Sequence, residues 1–258
     1  MICERGAGLN NSQTKLTDER CMDFITEVAP PLSETIISVT WRGNVYNEVQ
    51  HFFTTVLNSD GICYSFNLLD RNDLFSEEGI KYKNLFWNGN SSNWNIEEGF
   101  KDNRKHYPRS SSVSGVAGGI DFVFRASDND IDYECTPDFV GFKVTIQHPA
   151  LFPRGRKHFI TVPLDQIVLG SIKPIMMKTS KKLRIYPPTK RQCYFISEKS
   201  LKFFKTYNQP NCLLECLANA TFDSCGCVAL HMPRDNSTPV CGSGSSRCME
   251  KAQGLLHF

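Results

Sequence analysis

The chain has 258 residues, enough for one large domain or two small ones with a real core. A hydrophobic fraction of 40% and a charged fraction of 22% place it among folded globular chains and exclude a disordered polymer. A net charge of +2 argues against a dedicated nucleic-acid surface; the basic clusters Lys178, Lys181, Lys182, Arg184 and Arg154, Arg156, Lys157 read as solvated loops.

In chain order, residues 1–30 are polar and weakly periodic and predict loop with one short helix. Ile36 to Trp41 (IISVTW) predicts a short buried strand, and Asn47 to Thr55 a helical turn that buries Phe52 and Phe53. In Gly61-Ile62-Cys63-Tyr64-Ser65-Phe66-Asn67, alternation puts Ile62, Tyr64 and Phe66 on one face of a strand and Cys63 on the other, with Gly61 supplying the turn. Residues 70–118, rich in Asn, Ser, Gly and Asp, read as a loop-dominated insertion. Strands are expected at Ile120–Phe124, Gly141–Ile146, Phe159–Val162 and Lys182–Tyr186, the last stopped by Pro187-Pro188. Between them, residues 126–138 form an acidic loop carrying Cys135; Asp128, Asp130, Asp132 and Glu134 lack the Gly and distal Glu of an EF-hand and read as a solvated turn. Leu201, Phe204 and Tyr207, three apart after Ser197–Ser200, predict a helix, and Pro210 opens a second one through Cys212 and Cys216. The expected class is α+β: a β-rich body followed by a helical, cysteine-rich lobe.

Seven of the 11 cysteines fall between Cys193 and Cys248. Asn-x-Ser/Thr sites at Asn10, Asn90, Asn219 and Asn236 add weak support for an oxidising, extracellular compartment. Met1 to Gly6 has no apolar h-region, and no stretch approaches the ~18 apolar residues of a membrane helix. The export element, a membrane helix, is therefore expected outside this chain. Cys212 and Cys216 are i and i+4 on one helical face. If Cys225 and Cys227 lie on an extended segment and the chain returns antiparallel after Pro233–Pro239, pairing is nested: Cys227–Cys241 inside Cys225–Cys248. Cys193, Cys212 and Cys216 are then left over, with partners expected beyond Phe258. Zinc is the rival reading, but only the Cys212-x3-Cys216 pair has the usual spacing, with His231 as a candidate further ligand.

The ordered motifs resemble the degenerin/epithelial sodium channel family, and within it the insect pickpocket group. Gly61, Cys63, Tyr64, Phe66 and Asn67 match its G-x-C-Y-[ST]-F-N signature, preceded by Trp41-Arg42-Gly43. Gly141 to Pro153 resembles the palm strand, and Tyr186-Pro187-Pro188 with Cys193 the entry to the thumb. Tyr207, Cys212, Cys216, Cys225 and Cys227, then His231-Met232-Pro233 and Cys241, match the thumb in order and spacing. The resemblance implies a trimeric, amiloride-sensitive sodium channel at the plasma membrane, built from homologous subunits with two membrane helices each, and with this region extracellular. It divides the chain into a finger/linker remnant (1–35), a palm, finger and knuckle body (36–192) and a truncated thumb (193–258). It implies the same nested pairs, and pairs Cys193, Cys212 and Cys216 with a following Cys-x-Cys-x3-Cys element that this chain lacks. It implies a partner for Cys63 just after the first membrane helix, for which Cys3 stands; Cys21 with Cys135 follows by elimination. Both membrane helices and the filter are missing, and the family's finger cysteines are replaced near Val39 and Tyr46. A fragment of this kind is expected not to conduct sodium by itself.

No local signature joins a nucleophile, a base and an orienter, so no enzyme, cofactor or metal is expected. Glu250 falls where proton-sensing relatives carry an acid, but Gly254 stands where the next is expected, so proton sensing is unsupported. The alternative from a different class is a secreted, cysteine-rich ligand-binding module without channel activity.

Overall fold

The computed structural model describes residues 16–17, 20–79, 85, 94–100, 107–111, 113–131, 139–155, 159–175, 177 and 179–255. Strand β1 (Leu16–Thr17) and the amphipathic helix α1 (Arg20–Val28) precede a single helical turn, α2 (Leu32–Thr35), that runs straight into β2 (Ile36–Trp41). Next come β3 (Asn44–Tyr46), β4 (Phe53–Asn58) and β5 (Gly61–Phe66), then the one-turn α3 (Arg71–Leu74). A small hairpin of β6 (Trp94–Asn95) and β7 (Gly99–Phe100) is followed by β8 (Ile120–Phe124), β9 (Gly141–Thr145) and β10 (Phe159–Pro163). The C-terminal part holds α4 (Pro188–Arg191), α5 (Gln209–Cys225), β11 (Val240–Cys241) and α6 (Ser246–Leu255). The class is α+β with antiparallel sheets.

The β-branched run of β2 makes it the centre of a three-stranded sheet ordered β3-β2-β8, with Val39 opposite both Tyr46 and Phe122. Val39 is wholly buried. With Ile36, Val49, Phe52 and Phe53 it forms one core, which Tyr64 and Phe66 of β5 cover from the facing hairpin. The β4–β5 hairpin runs in register from Phe53↔Phe66 to Asn58↔Gly61. Its other side belongs to a second core of Val56, Leu68, Leu74, Phe75, Phe152, Phe203, Phe204 and Leu214, with Cys63 at its edge. That core joins the body to the helical lobe: Phe204, 1% exposed, packs on Phe75 at 5.3 Å. Burying one such ring contributes about 2–3 kcal/mol.

Three local expectations are corrected. Lys182–Tyr186 is no strand; Lys181–Ile185 forms a 3-10 turn with Ile185 exposed, because among the described residues no strand offers a ladder to the alternating side chains. The stretch after Ser200 is not helical. A 3-10 turn spans only Ile196–Glu198, and Phe204 instead makes a bridge with Phe75, with Lys205 N donating to Leu74 O at 3.0 Å. Tertiary burial of two successive rings, Phe203 and Phe204, overrides the three-residue spacing. Around Phe52 the helical turn is shorter than expected, Val49–Phe52, and Phe53 already begins β4.

Candidate functional site

The signature segment Gly61–Asn67 is a set of anchors. Gly61 has φ of +106°, and Asn58 Oδ1 accepts from Asp60 N at 2.8 Å, which closes the tight β4–β5 turn. Tyr64 donates its hydroxyl to Pro30 O at 2.5 Å and so ties the hairpin to the segment before α2. Phe66 lies among Trp41, Phe52, Phe53 and Phe122 with ring centroids 5.6–6.3 Å away. Asn67 ends the strand in the left-handed region, φ +61°, and grips the backbone of Arg109 twice: Nδ2 donates to Arg109 O at 2.9 Å and Oδ1 accepts from Arg109 N at 2.5 Å. Arg109 in turn places its guanidinium 4.5 Å from the Phe52 ring centre.

The cysteine lobe is built on α5. Asn208 caps it, accepting from Asn211 N at 2.8 Å, with Pro210 in the first turn. Asn211, Leu214, Ala218 and Thr221 form the buried stripe, at i, i+3, i+7 and i+10. Cys225 is the last helical residue. Gly226, at φ +70°, takes the left-handed cap and donates to Phe222 O at 2.7 Å. Cys225–Cys248 staples the end of α5 to α6, and Cys227–Cys241 ties the cap to β11, with Cα separations of 5.8 and 5.1 Å. The nesting is present, but the geometry behind it differs from the extended, antiparallel return read from spacing: Cys225 is helical and Val228 meets Val240 in a parallel bridge. In the His231-Met232-Pro233 motif, Met232 and Pro233 are fully buried, and Met232 packs with Ala218 and Val228 beneath α5. His231 is half-buried in the turn before them.

Asp235 organises the following turn. Its Oδ1 accepts from Thr238 Oγ1 at 2.7 Å, Ser237 Oγ at 2.7 Å and Ser237 N at 3.1 Å, and Oδ2 pairs with Lys202 Nζ at 2.9 Å. Thr238 first, then Lys202 and Ser237, hold this carboxyl well below the usual carboxylate range. Side-chain clamps that the sequence reading missed hold the lobe together and seat it on the body. Glu215 accepts from Lys202 N and Phe203 N at 2.9 and 3.0 Å, and Asn211 grips residues 150–152. The Asn208-x2-Asn211 spacing signals the cap; nothing local signals the long-range partners.

Residues 5–257 match the family described as "Amiloride-sensitive sodium channel". The chain belongs to the amiloride-sensitive sodium channel family. It is 28% identical over 238 residues to Pickpocket protein 28 of Drosophila melanogaster, which covers 89% of this chain and 39% of that protein. It is 30% identical to Pickpocket protein 11 (51% of this chain, 25% of that protein) and 29% identical to Pickpocket protein 19 (59% and 30%), both from the same fly. The chain thus spans well under half the length of each of these relatives. No helix among the described residues is long and apolar enough to cross a membrane. The family is one of ion channels rather than enzymes.

Within this channel-family lobe, Cys193, Cys212 and Cys216 carry free thiols; Cys216 is exposed and Cys212 half-buried. Cys21 and Cys63 are also free thiols; the partners expected for them, Cys135 and Cys3, lie outside the described residues. Cys63 faces the second core, its Sγ 3.5 Å from Asn58 Oδ1. Burial, and then the Asp60 carboxylate, push the thiol up to about 11, so it stays neutral and a poor nucleophile. Among the described residues no group of three His, Cys, Asp or Glu side chains is placed to hold a metal ion. Asn219 is exposed on α5 while Thr221, two residues on, is buried and donates to Leu217 O at 2.7 Å. Asn236 is exposed in the Asp235 turn, whereas Asn10 and Asn90 lie outside the described residues. Glu250 is an exposed residue of α6, and Asp128 is exposed in a 3-10 turn.

Proposed function

We propose that this chain is extracellular sequence of a sodium-conducting channel subunit at the plasma membrane, and that the subunit assembles with homologous subunits as a trimer. In this reading residues 36–192 are the palm, finger and knuckle, 193–258 the thumb, and 1–35 a finger or linker segment. The observation that carries it is the doubly stapled lobe of α5, β11 and α6 seated on a β body, in a chain whose family match runs from residue 5 to 257. Such a lobe transmits a stimulus; it does not form a pore. Conduction then belongs to other parts of the subunit, and residues 1–258 alone carry no current. Asn219 and Asn236, both exposed, are assigned as glycan acceptors.

The test is expression of the full-length subunit containing this chain in oocytes, alone and with homologous subunits, with an epitope placed after Asn236. The reading expects labelling of intact cells and a sodium current blocked by amiloride. Surface labelling without current in any subunit combination, together with secretion and ligand binding by residues 1–258, would favour the secreted module instead.

A further inference from the structure

The loop between β9 and β10 meets both halves of the molecule within four residues. Pro149 O accepts from Leu69 N of the body at 3.1 Å. Ala150 O accepts from Asn211 Nδ2 at 3.2 Å and Asn208 Nδ2 at 3.4 Å, both from the lobe. Phe152 N donates to Asn211 Oδ1 at 3.1 Å. Ala150 is wholly buried, so its own N–H needs a partner. That partner is a side chain that titrates: Ala150 N donates to His148 Nδ1 at 3.2 Å, inside a turn closed by Leu151 N to His148 O at 2.9 Å. Nδ1 accepts only in the neutral imidazole, whose proton is then on Nε2.

We propose that His148 is an acid-released latch on the junction between body and lobe: the neutral ring holds Ala150 in place, and a proton taken from solvent at Nδ1 turns the acceptor into a donor and frees it. The residue is exposed overall although its ring is partly covered, so protons still reach the ring. The Trp94 ring lies tilted against it, with centroids 5.3 Å apart. Charged groups on the neighbouring elements include Glu97 and Glu98 on the β6–β7 hairpin, Asp70 and Arg71 after Leu69, Glu215 on α5, and Arg154 on the same loop. Glu97 is engaged with Arg184, Asp70 with the start of α3, and Glu215 with residues 202–203. Burial lowers the ring's proton affinity from the ordinary imidazole value. Burial thus makes the fold favour the neutral ring. The contribution is therefore complete above the unfolded value of about 6.5 and is lost as pH falls through the lower folded value.

The experiment is native-state hydrogen exchange on the 258-residue chain, read as protection factors for peptides covering 147–153 and 208–217 at pH 7.5 and 5.0. The wild type is expected to lose about tenfold protection in both peptides at pH 5.0, the size expected for one buried amide losing its acceptor. His148→Asn keeps an acceptor at the δ1 position without titrating, and should hold its protection at both values. His148→Ala should be equally unprotected at both. Wild-type protection that does not change with pH, or an equal acid loss in His148→Asn, overturns the latch; this comparison stands even if His148→Ala does not fold.

Discussion

Asn211 of α5 holds the backbone of Phe152 from 59 residues away: its Oδ1 accepts the Phe152 N–H at 3.1 Å while its Nδ2 donates to Ala150 O at 3.2 Å. Both ends of the amide are used in a site where Asn211 is 1% exposed. Asn211→Ala leaves a buried donor without its partner and weakens the satisfaction of Ala150 O, which keeps Asn208. An unsatisfied buried group costs about 1–3 kcal/mol, so a loss of about 2–4 kcal/mol is expected in denaturant unfolding. Asn211→Asp keeps the acceptor but faces Ala150 O with another oxygen, and should be no better. A loss below 1 kcal/mol for both variants would show that the clamp contributes little.

The two staples of the lobe act on the unfolded chain as much as on the folded one. Cys225–Cys248 closes a separation of 23 residues and Cys227–Cys241 one of 14. Loop-closure entropy gives about 3 kcal/mol for each. Replacing both cysteines of one pair with serine should lower stability by about that amount under non-reducing conditions. The Cys227–Cys241 pair should cost more than its shorter loop suggests, because Cys227 and Cys241 are buried and serine brings hydroxyls into that site. Equal midpoints for wild type and either double variant would contradict this.

Much of this was legible because the signals are local. Ile36–Trp41 and Ile120–Phe124 carry β-branched and aromatic alternation that needs no distant information, and both are strands. The nested cystines were expected from spacing on an assumed extended return and from the family resemblance, but the local geometry is different: a helix C-terminus and its glycine cap present Cys225 and Cys227 where a strand was expected. Lys181–Ile185 shows the opposite failure, since alternation with no strand to pair with among the described residues leaves only a turn. Leu201, Phe204 and Tyr207 kept a helical spacing, yet the chain there is bent rather than helical, and Glu215 binds the N–H groups of Lys202 and Phe203. Partners 12 and 13 residues apart, or 59, leave no periodic trace.

Asp235 gives the lobe an acid limit. Its folded carboxyl is depressed below the ordinary 3.8 by Thr238, Lys202 and Ser237. A depressed carboxylate contributes stability that is fully present above its unfolded value and is lost as pH falls through the folded one. The urea midpoint should therefore fall below about pH 4, and Asp235→Asn should flatten this part of the profile while lowering the midpoint at neutral pH. Parallel profiles for the two proteins from pH 2.5 to 6 would remove Asp235 from the account.

Asn67 separates two physical costs that usually travel together. It sits at φ +61°, where a Cβ is disfavoured, and its side chain binds both polar groups of Arg109's backbone. Asn67→Ala loses the clamp and keeps the steric cost, now without asparagine's tolerance of that region; Asn67→Gly loses the clamp but relieves the backbone. The strain difference is about 1 kcal/mol, and the clamp, with two bonds to a half-buried backbone, is worth about 1–3 kcal/mol. Alanine should therefore be less stable than glycine by about 1 kcal/mol, with both below wild type in equilibrium unfolding. If glycine matched wild type, the signature asparagine would serve only its backbone angle, and the bonds to Arg109 would contribute nothing. If alanine and glycine were equal and both low, the clamp alone would explain the residue.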